Sequence, residues 1–363
     1  MARGIKVDES IDCTVVDVDA HYTGSFEDLV EYIDDGPWKG RFEAGAEISK
    51  TASNKGFWPS ITSAHDAYRT PGGFEMPETR EGMCKVMNDL GIDKIVFLGE
   101  QMITFDQMKG DDERPIVYAN AYADYLLDRM IDPDNGIYGT IPIAPNDPER
   151  SAELIERVGD EEGFIGICFI TSMVEPPLGN RRYDPIYEAA ENHDLTVVFH
   201  GGTPGVDSFY LSGYEYRLET HTLGFMWANT SQIVSIVAQG VPEKFPDLDF
   251  VFQESGIFWI PMMMYRMDME YFQRPNEGPL MTKKPSEYMK EFYYGTQPLE
   301  TPPSKQYLNY VIEMIGGPDR LLYASDYPHT DYDTTNAITS IPGLSKGDKA
   351  KILGGNAEEV FGI

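Results

Sequence analysis

Basic residues are scarce in this chain: 29 lysines and arginines stand against 60 aspartates and glutamates in 363 residues, a formal net charge of -31. Such a surface repels nucleic acid and anionic membranes, so neither is an expected partner. The acid is spread along the chain rather than gathered in a tail, which suits a soluble protein adapted to high salt, where dense counterions screen carboxylate repulsion. Cysteine is scarcer still. Cys13, Cys84 and Cys168 lie far apart without C-x-x-C spacing, which excludes a disulfide framework and a zinc knuckle and makes a reducing cytoplasm the expected compartment. Long apolar runs are missing too: the N-terminus has no signal-peptide core, and the longest apolar stretch, around Ile257 to Tyr265, is too short to span a bilayer.

What is present is enough apolar material for a large core, at 41% hydrophobic and 12% aromatic residues. Apolar runs that read as buried strands recur at Cys13 to Asp19, Lys94 to Leu98, Gly136 to Ile143, Gly163 to Ile170, Leu195 to His200, Leu248 to Glu254, Phe292 to Thr296 and Leu321 to Ala324. Helical patterns alternate with them, at Thr79 to Leu90, Ile116 to Met130, after Asp147-Pro148, from Asp184, at Thr230 to Gln239, from Pro261, around Leu308 to Ile315 and at Lys346 to Leu353. Alternation of this kind predicts right-handed βαβ units, and eight of them close into an α/β (β/α)8 TIM-type barrel in one domain, residues 1–363. A doubly wound open sheet is the alternative, but no Gly-x-Gly-x-x-Gly or P-loop follows any predicted strand. Residues 22–77, rich in Gly, Ser, Pro and aromatics, read as a long insertion after the first strand, an excursion over the barrel mouth.

All strand C-termini of such a barrel meet at one mouth, so the polar residues ending each strand converge. They are Asp17, Asp19 and His21 from the first strand, His200 from the fifth, Glu254 from the sixth and Asp326 from the eighth, with His329 three residues on. Strand alternation points Asp17, Asp19 and His21 the same way. Two histidines with two carboxylates suit Zn2+ or Mn2+ rather than Ca2+ or a thiolate-bound structural zinc. Taken singly, Asp19 also reads as a loop cap and His200 as a core histidine; Glu254, closing an apolar run, is costly to bury without a partner or a task. His65 and His193 read as surface residues, and His221 as part of the loop after His200. Trp38, Phe57, Trp58, Phe209, Tyr210 and Tyr214 suggest an aromatic pocket lining, and Arg181, Arg182 and Arg217 are candidates to hold a substrate carboxylate. Met262 to Met264 read as helix core.

The segments Asp17-Val-Asp19-Ala-His21, Val198-Phe-His200-Gly-Gly202, Phe245-Pro-Asp-Leu248 with Glu254-Ser-Gly256 and Trp259-Ile-Pro261, Leu322-Tyr-Ala-Ser-Asp326-Tyr-Pro-His329 and Ile352-Leu-Gly-Gly-Asn-Ala357 occur in this order. Together they resemble the amidohydrolase-related (amidohydrolase 2) branch of the amidohydrolase superfamily, which includes aminocarboxymuconate semialdehyde decarboxylase-like enzymes. The resemblance implies a barrel holding one divalent ion, Zn2+ or Mn2+, on Asp19, His21, His200 and Asp326. It implies catalytic roles for Asp326, Glu254 and His329, substrate contacts from His221, Arg182, Arg217 and Trp259, and a homodimer. Glu254 stands where the family's decarboxylases carry a histidine. The expected function is non-oxidative decarboxylation of a small carboxylated aromatic or unsaturated compound. The alternatives are a lactone, amide or C-C bond hydrolase using a metal-bound hydroxide and, more remotely, an inactive binding protein.

Overall fold

The computed structural model describes residues 11–22, 26–34, 36–51, 79–99, 113–172, 174–202, 214, 216–327, 329 and 332–363. Strand β1 (Val16–Tyr22) leads through α1 (Phe26–Val30), α2 (Pro37–Thr51) and α3 (Arg80–Leu90) to β2 (Lys94–Gly99). Helix α4 (Arg114–Arg129), β3 (Ile137–Pro142), α5 (Pro148–Val158), β4 (Phe164–Ile170), α6 (Asp184–Asn192) and β5 (Thr196–His200) follow. Next come α7 (Arg217–Ala238), α8 (Val241–Lys244), β6 (Phe250–Gln253), α9 (Trp259–Gln273), α10 (Pro285–Met289) and β7 (Tyr293–Gly295). The chain ends with α11 (Gln306–Met314), β8 (Leu321–Leu322), α12 (Asn336–Thr339), α13 (Lys346–Ala350), a π-helical turn (Lys351–Gly355) and α14 (Asn356–Phe361).

Local chemistry sets several of these boundaries. Thr79 caps α3 by accepting from Gly82 N at 3.1 Å, and Gly91 ends it at φ 70, a left-handed conformation glycine adopts without penalty. Asp147 accepts from Arg150 N at 3.2 Å, and Pro148, which has no N–H to satisfy, opens α5.

The eight strands form one parallel sheet in sequence order. The last strand returns to the first: Val18 N donates to Tyr323 O at 3.0 Å, Asp326 N to Asp19 O at 2.7 Å and His21 N to Tyr327 O at 2.8 Å. This is the (β/α)8 barrel the alternation predicts. On its outer face Phe169, Phe199, Phe252 and Tyr294 stack in a row with centroids 5.7, 4.7 and 6.2 Å apart, and Tyr187 of α6 packs on Phe169. Burying each such ring contributes roughly 1.5–3 kcal/mol, and fixes the alternate residues, including His200, toward the interior.

The closing helix predicted at Lys346 to Leu353 is present and runs on without a gap, through the π turn and α14, to Phe361. Gly354 lies in the π turn and lets it pass close to the chain before β1, since a Cβ there would lie 2.1 Å from Thr14 O. Asn356 Nδ2 then donates to Pro318 O and Leu321 O, both at 2.8 Å, and ties the C-terminal segment to β8. In the insertion, Trp38 and Phe42 pack in sequence toward Tyr118 of α4, and Tyr32 meets Tyr125 edge-on, so the described part sits against the helical layer. Phe57, Trp58, His65, Phe209 and Tyr210 lie outside the described residues.

His193, at the end of α6, is more than a surface residue: Nδ1 is 2.7 Å from Asp160 Oδ1 and Nε2 3.3 Å from Glu156 Oε2. The bond to Asp160, against a smaller burial penalty and with help from Glu156, raises its pKa above the usual histidine value. A raised folded-state pKa stabilises most below the unfolded value of about 6.5, and that contribution is lost as pH rises through the folded value. Thermal unfolding should therefore show His193→Asn most destabilised relative to the parent near pH 6, with the gap narrowing toward pH 9; a gap that widens with pH contradicts this ion pair.

Candidate metal and active site

Four strand ends deliver the site. Asp19, His21, His200 and Asp326 are each 2% exposed or less, and Glu254 is 7% exposed. His200 Nε2 stands 3.2 Å from Asp19 Oδ1 and 2.9 Å from Glu254 Oε2, while His21 Nε2 is 3.0 Å from Asp326 Oδ1 and 3.6 Å from Asp19 Oδ1. His329 Nδ1 meets Asp326 Oδ1 in a short hydrogen bond, and its ring lies 4.4 Å from that of His21. The ligand atoms of Asp19, His21 and His200 lie within 4.8 Å of one another, as do those of His21, Asp326 and His329.

These atoms are close without being properly bonded. Both oxygens of Asp19, both ring nitrogens of His200 and Oε2 of Glu254 are buried and out of line for hydrogen bonds. Buried polar groups are ordinarily satisfied, and orphaning one costs about 1–3 kcal/mol. Carboxylate oxygens and imidazole nitrogens that face one another off-axis suit a shared divalent cation, and the N/O donor set fits Zn2+ or Mn2+.

The backbone is unusual at the same places. Glu254 has φ 54 and Asp326 φ 60, left-handed values that cost a non-glycine residue about 1–3 kcal/mol. Both turns aim a carboxylate into the mouth where a continuing strand would turn it aside. Asp326 is held at every side: Oδ1 by His21 and His329, Oδ2 by Gln297 Nε2 at 3.0 Å. Burial alone would raise its pKa, but the His329 and His21 imidazoles hold it well below the usual carboxylate range. Glu254 goes the other way. Burial pushes its carboxyl up to about 7, with His200 opposing and the Asp326 charge adding to the rise. Burial opposes charge on His200 as well, yet the Glu254 and Asp19 carboxylates raise its pKa well above the usual value.

Asp17 departs from the expected alternation. A register shift between Asp17 and Ala20 breaks the pairing of β1 with β2, and Asp17 Oδ1 accepts from Asp19 N at 3.1 Å and Ser325 N at 2.8 Å. It braces the backbone under two site residues instead of joining them, and burial raises its pKa to about 6.

The expected substrate contacts fare unevenly. His221 is on α7 rather than in a loop, its ring 5.0 Å from Phe225. Phe225 in turn packs beside Gly201, where a Cβ would lie 3.2 Å from the phenyl ring and 2.7 Å from Glu254 O, so this helix reaches the mouth next to His200. Arg182 is exposed, donates to Asn146 O at 2.9 Å and lies over the Tyr183 ring; no described contact brings it to the cluster. Trp259 is buried and donates Nε1 to Gly256 O at 2.9 Å, a bond that anchors the turn after Glu254. The side chain of Arg217 lies outside the described residues. Sequence reading missed Gln297, which no motif marks, and Gln253, whose Nε2 crosses to Val18 O at 2.7 Å.

Comparison with known proteins places this geometry in a family. The gamma-resorcylate decarboxylase of Polaromonas sp. strain JS666 is 22% identical over 314 residues, covering 84% of this chain and 90% of that protein. Among solved structures, an amidohydrolase from Mycobacterium avium subsp. paratuberculosis superposes with a TM-score of 0.75 at 18% identity, covering 96% and 99% of the two chains. The 5-carboxyvanillate decarboxylase of Novosphingobium aromaticivorans, solved with manganese and 4-hydroxy-3-methoxy-5-nitrobenzoic acid, gives 0.71 at 20% identity over the full length of both. The family profile described as amidohydrolase matches residues 17–363, and with the barrel and its mouth arranged as above, the chain belongs to the amidohydrolase family.

Proposed function

We propose that this protein is a metal-dependent, non-oxidative decarboxylase of a small carboxylated aromatic or unsaturated compound. The observation that carries the reading is a pair of clusters of ligand atoms at the barrel mouth, Asp19 with His21 and His200, and His21 with Asp326 and His329, which share His21. Asp19, His21, His200 and Asp326 would hold one Zn2+ or Mn2+ ion, which when bound polarises a substrate oxygen. The related proteins named gamma-resorcylate and 5-carboxyvanillate decarboxylase support the substrate class.

Decarboxylation breaks one carbon-carbon bond, releases carbon dioxide and leaves a carbon that must take up a proton. Glu254 suits that transfer: a carboxyl held up to about 7 carries its proton close to neutrality and can give it to the carbon that loses carbon dioxide, while His200 beside it fixes the position of the carboxyl. Asp326 is fixed in ionised form by His21 and His329, which makes it an anchor first and a base second. His329 is half-buried at the edge of the cluster and His221 stands on the neighbouring helix, positions from which each orients the substrate. A hydrolase reading uses the same residues with Asp326 as the base. Residues 22–77 are proposed to shape the pocket, with Arg217 as the candidate for the substrate carboxylate.

The remaining parts of the reading rest on surface composition. A charge of -31 fits work in concentrated salt, and the free thiols Cys13, Cys84 and Cys168 fit the cytoplasm. Among the described residues no helix is long and apolar enough to cross a membrane. The proposed homodimer has an apolar surface available: Met262, Tyr265, Met269 and Phe272 recur at intervals of three and four along α9, 61, 49, 58 and 83% exposed. The run Met262 to Met264 is thus divided, with Met264 in the core and Met262 on the surface.

Three measurements test this reading. Protein loaded with Mn2+ should release carbon dioxide from 2,6-dihydroxybenzoate or 5-carboxyvanillate, and Asp326→Asn should reduce the rate by at least about a hundredfold. Lactone or amide hydrolysis without carbon dioxide release would transfer the assignment to the hydrolase. In metal-free protein, infrared difference spectra should show a carboxylic acid band that disappears as pH rises through about 7 and is missing from Glu254→Gln. Light scattering should show a dimer that Met269→Glu with Phe272→Glu dissociates; a parent that is already monomeric removes the dimer.

A further inference from the structure

Glu254 is held in an unfavourable backbone conformation, and the structure shows what restrains it. Asn229, on the inner face of α7, is fully buried. Its Nδ2 donates to Gln253 O at 2.7 Å and to Ser255 Oγ at 3.0 Å, the two residues on either side of Glu254. Its Oδ1 accepts from Thr171 Oγ1 at 2.7 Å, and Thr171 N donates to His200 O at 2.9 Å. The orientation of the amide follows from its partners, since Gln253 O can only accept. Gln232, three residues further along the same helix, donates to Thr171 O at 3.1 Å and accepts from Leu178 N at 2.7 Å, which locks the helix against the end of β4.

We propose that Asn229 is a positioning residue that pins the peptide before Glu254 and the side chain of Ser255 after it, holds the left-handed backbone of Glu254 and thereby sets its carboxylate beside His200. The inference rests on the reading of Glu254 as the proton-transfer group. Three bonds from one amide bridge β4 and β6 where each leaves the barrel, and none of them touches the reacting atoms. Removing the amide frees residue 254 to relax toward negative φ, and the carboxylate, attached to a turning backbone, leaves its place at 2.9 Å from His200 Nε2. Gly201 makes the arrangement specific, because its missing Cβ lets the Glu254 carbonyl and Phe225 of the same helix close over the end of β5.

Two double-mutant cycles test the coupling. In the first, kcat and KM for carbon dioxide release are measured at saturating Mn2+ for the parent, Asn229→Ser, Glu254→Gln and the double variant. Asn229→Ser should lower kcat about tenfold or more with KM changed less than about threefold, and should cost less than about twofold once Glu254 is already Gln. Losses that multiply independently in the two backgrounds overturn the proposal. The second cycle reads thermal unfolding and uses Glu254→Gly, which accepts positive φ without strain. The drop in Tm caused by Asn229→Ser should be at least halved in that background, and equal drops mean that Asn229 is a packing residue only. If no carboxylated compound turns over, the decarboxylase reading fails on its own while the thermal cycle still decides the role of Asn229. Should Asn229→Ser not fold, Ser255→Ala, which deletes one acceptor and leaves the amide in place, is carried through both cycles with the same coupling expected.

Discussion

Three carboxylates and three imidazoles packed into one barrel mouth are the constraint on which this structure turns. Asp19, Glu254 and Asp326 are buried with His21 and His200 between them and His329 at the rim. Charges of one sign at such distances, away from water, repel strongly unless imidazolium, a proton or a cation lies among them. The directions of the pKa shifts express this: Glu254 goes up, Asp326 goes down, and His200 is raised despite its burial. A cation among them would offset that repulsion, which is why the unaligned oxygens of Asp19 and nitrogens of His200 read as part of a ligand set and not as poorly packed core.

The scaffold around the mouth is arranged to resist that repulsion. β1 carries two of the proposed ligands, Asp19 and His21, and is braced from below by Asp17, whose carboxylate takes the backbone N–H groups of Asp19 and Ser325. The segment after the eighth strand supplies Asp326 and closes on β1 through Asp326 N and Asp19 O, so that two of the proposed ligands, from opposite ends of the chain, share one hydrogen bond. The strained φ values of Glu254 and Asp326 belong to the same design. Each residue is over-determined by its neighbours, Asp326 by Gln297, His21 and His329, and the residues flanking Glu254 by Asn229.

Much of this was legible in the sequence because strands buried on both faces read as apolar runs, and a polar residue ending such a run is conspicuous. That is how Asp19, His200, Glu254 and Asp326 were found hundreds of residues apart. Three features were not legible. The register shift between Asp17 and Ala20 depends on pairing with β2, which strict alternation ignores. The first half of α7 does not read as helix, since Thr220, His221, Thr222 and Gly224 are poor helix formers, yet the helix starts at Arg217 and its Phe225 packs beside Gly201. Gln297 and Asn229 have roles only in three dimensions, because an amide that bonds a distant carboxylate, carbonyl or hydroxyl leaves no periodic or compositional trace. Trp259, a substrate contact by resemblance, is buried with its N–H bonded to Gly256 O, so what the structure shows is its part in holding the turn after Glu254.

The central claim is that Asp19, His21, His200 and Asp326, brought together from three strand ends, form one cation site. Anomalous diffraction at the manganese edge, from crystals soaked in Mn2+, tests it most directly. A single strong peak within bonding distance, about 2.0–2.4 Å, of Asp19, His21, His200 and Asp326 is the predicted result. Manganese found only among surface carboxylates, with the mouth free of anomalous signal, would contradict the account.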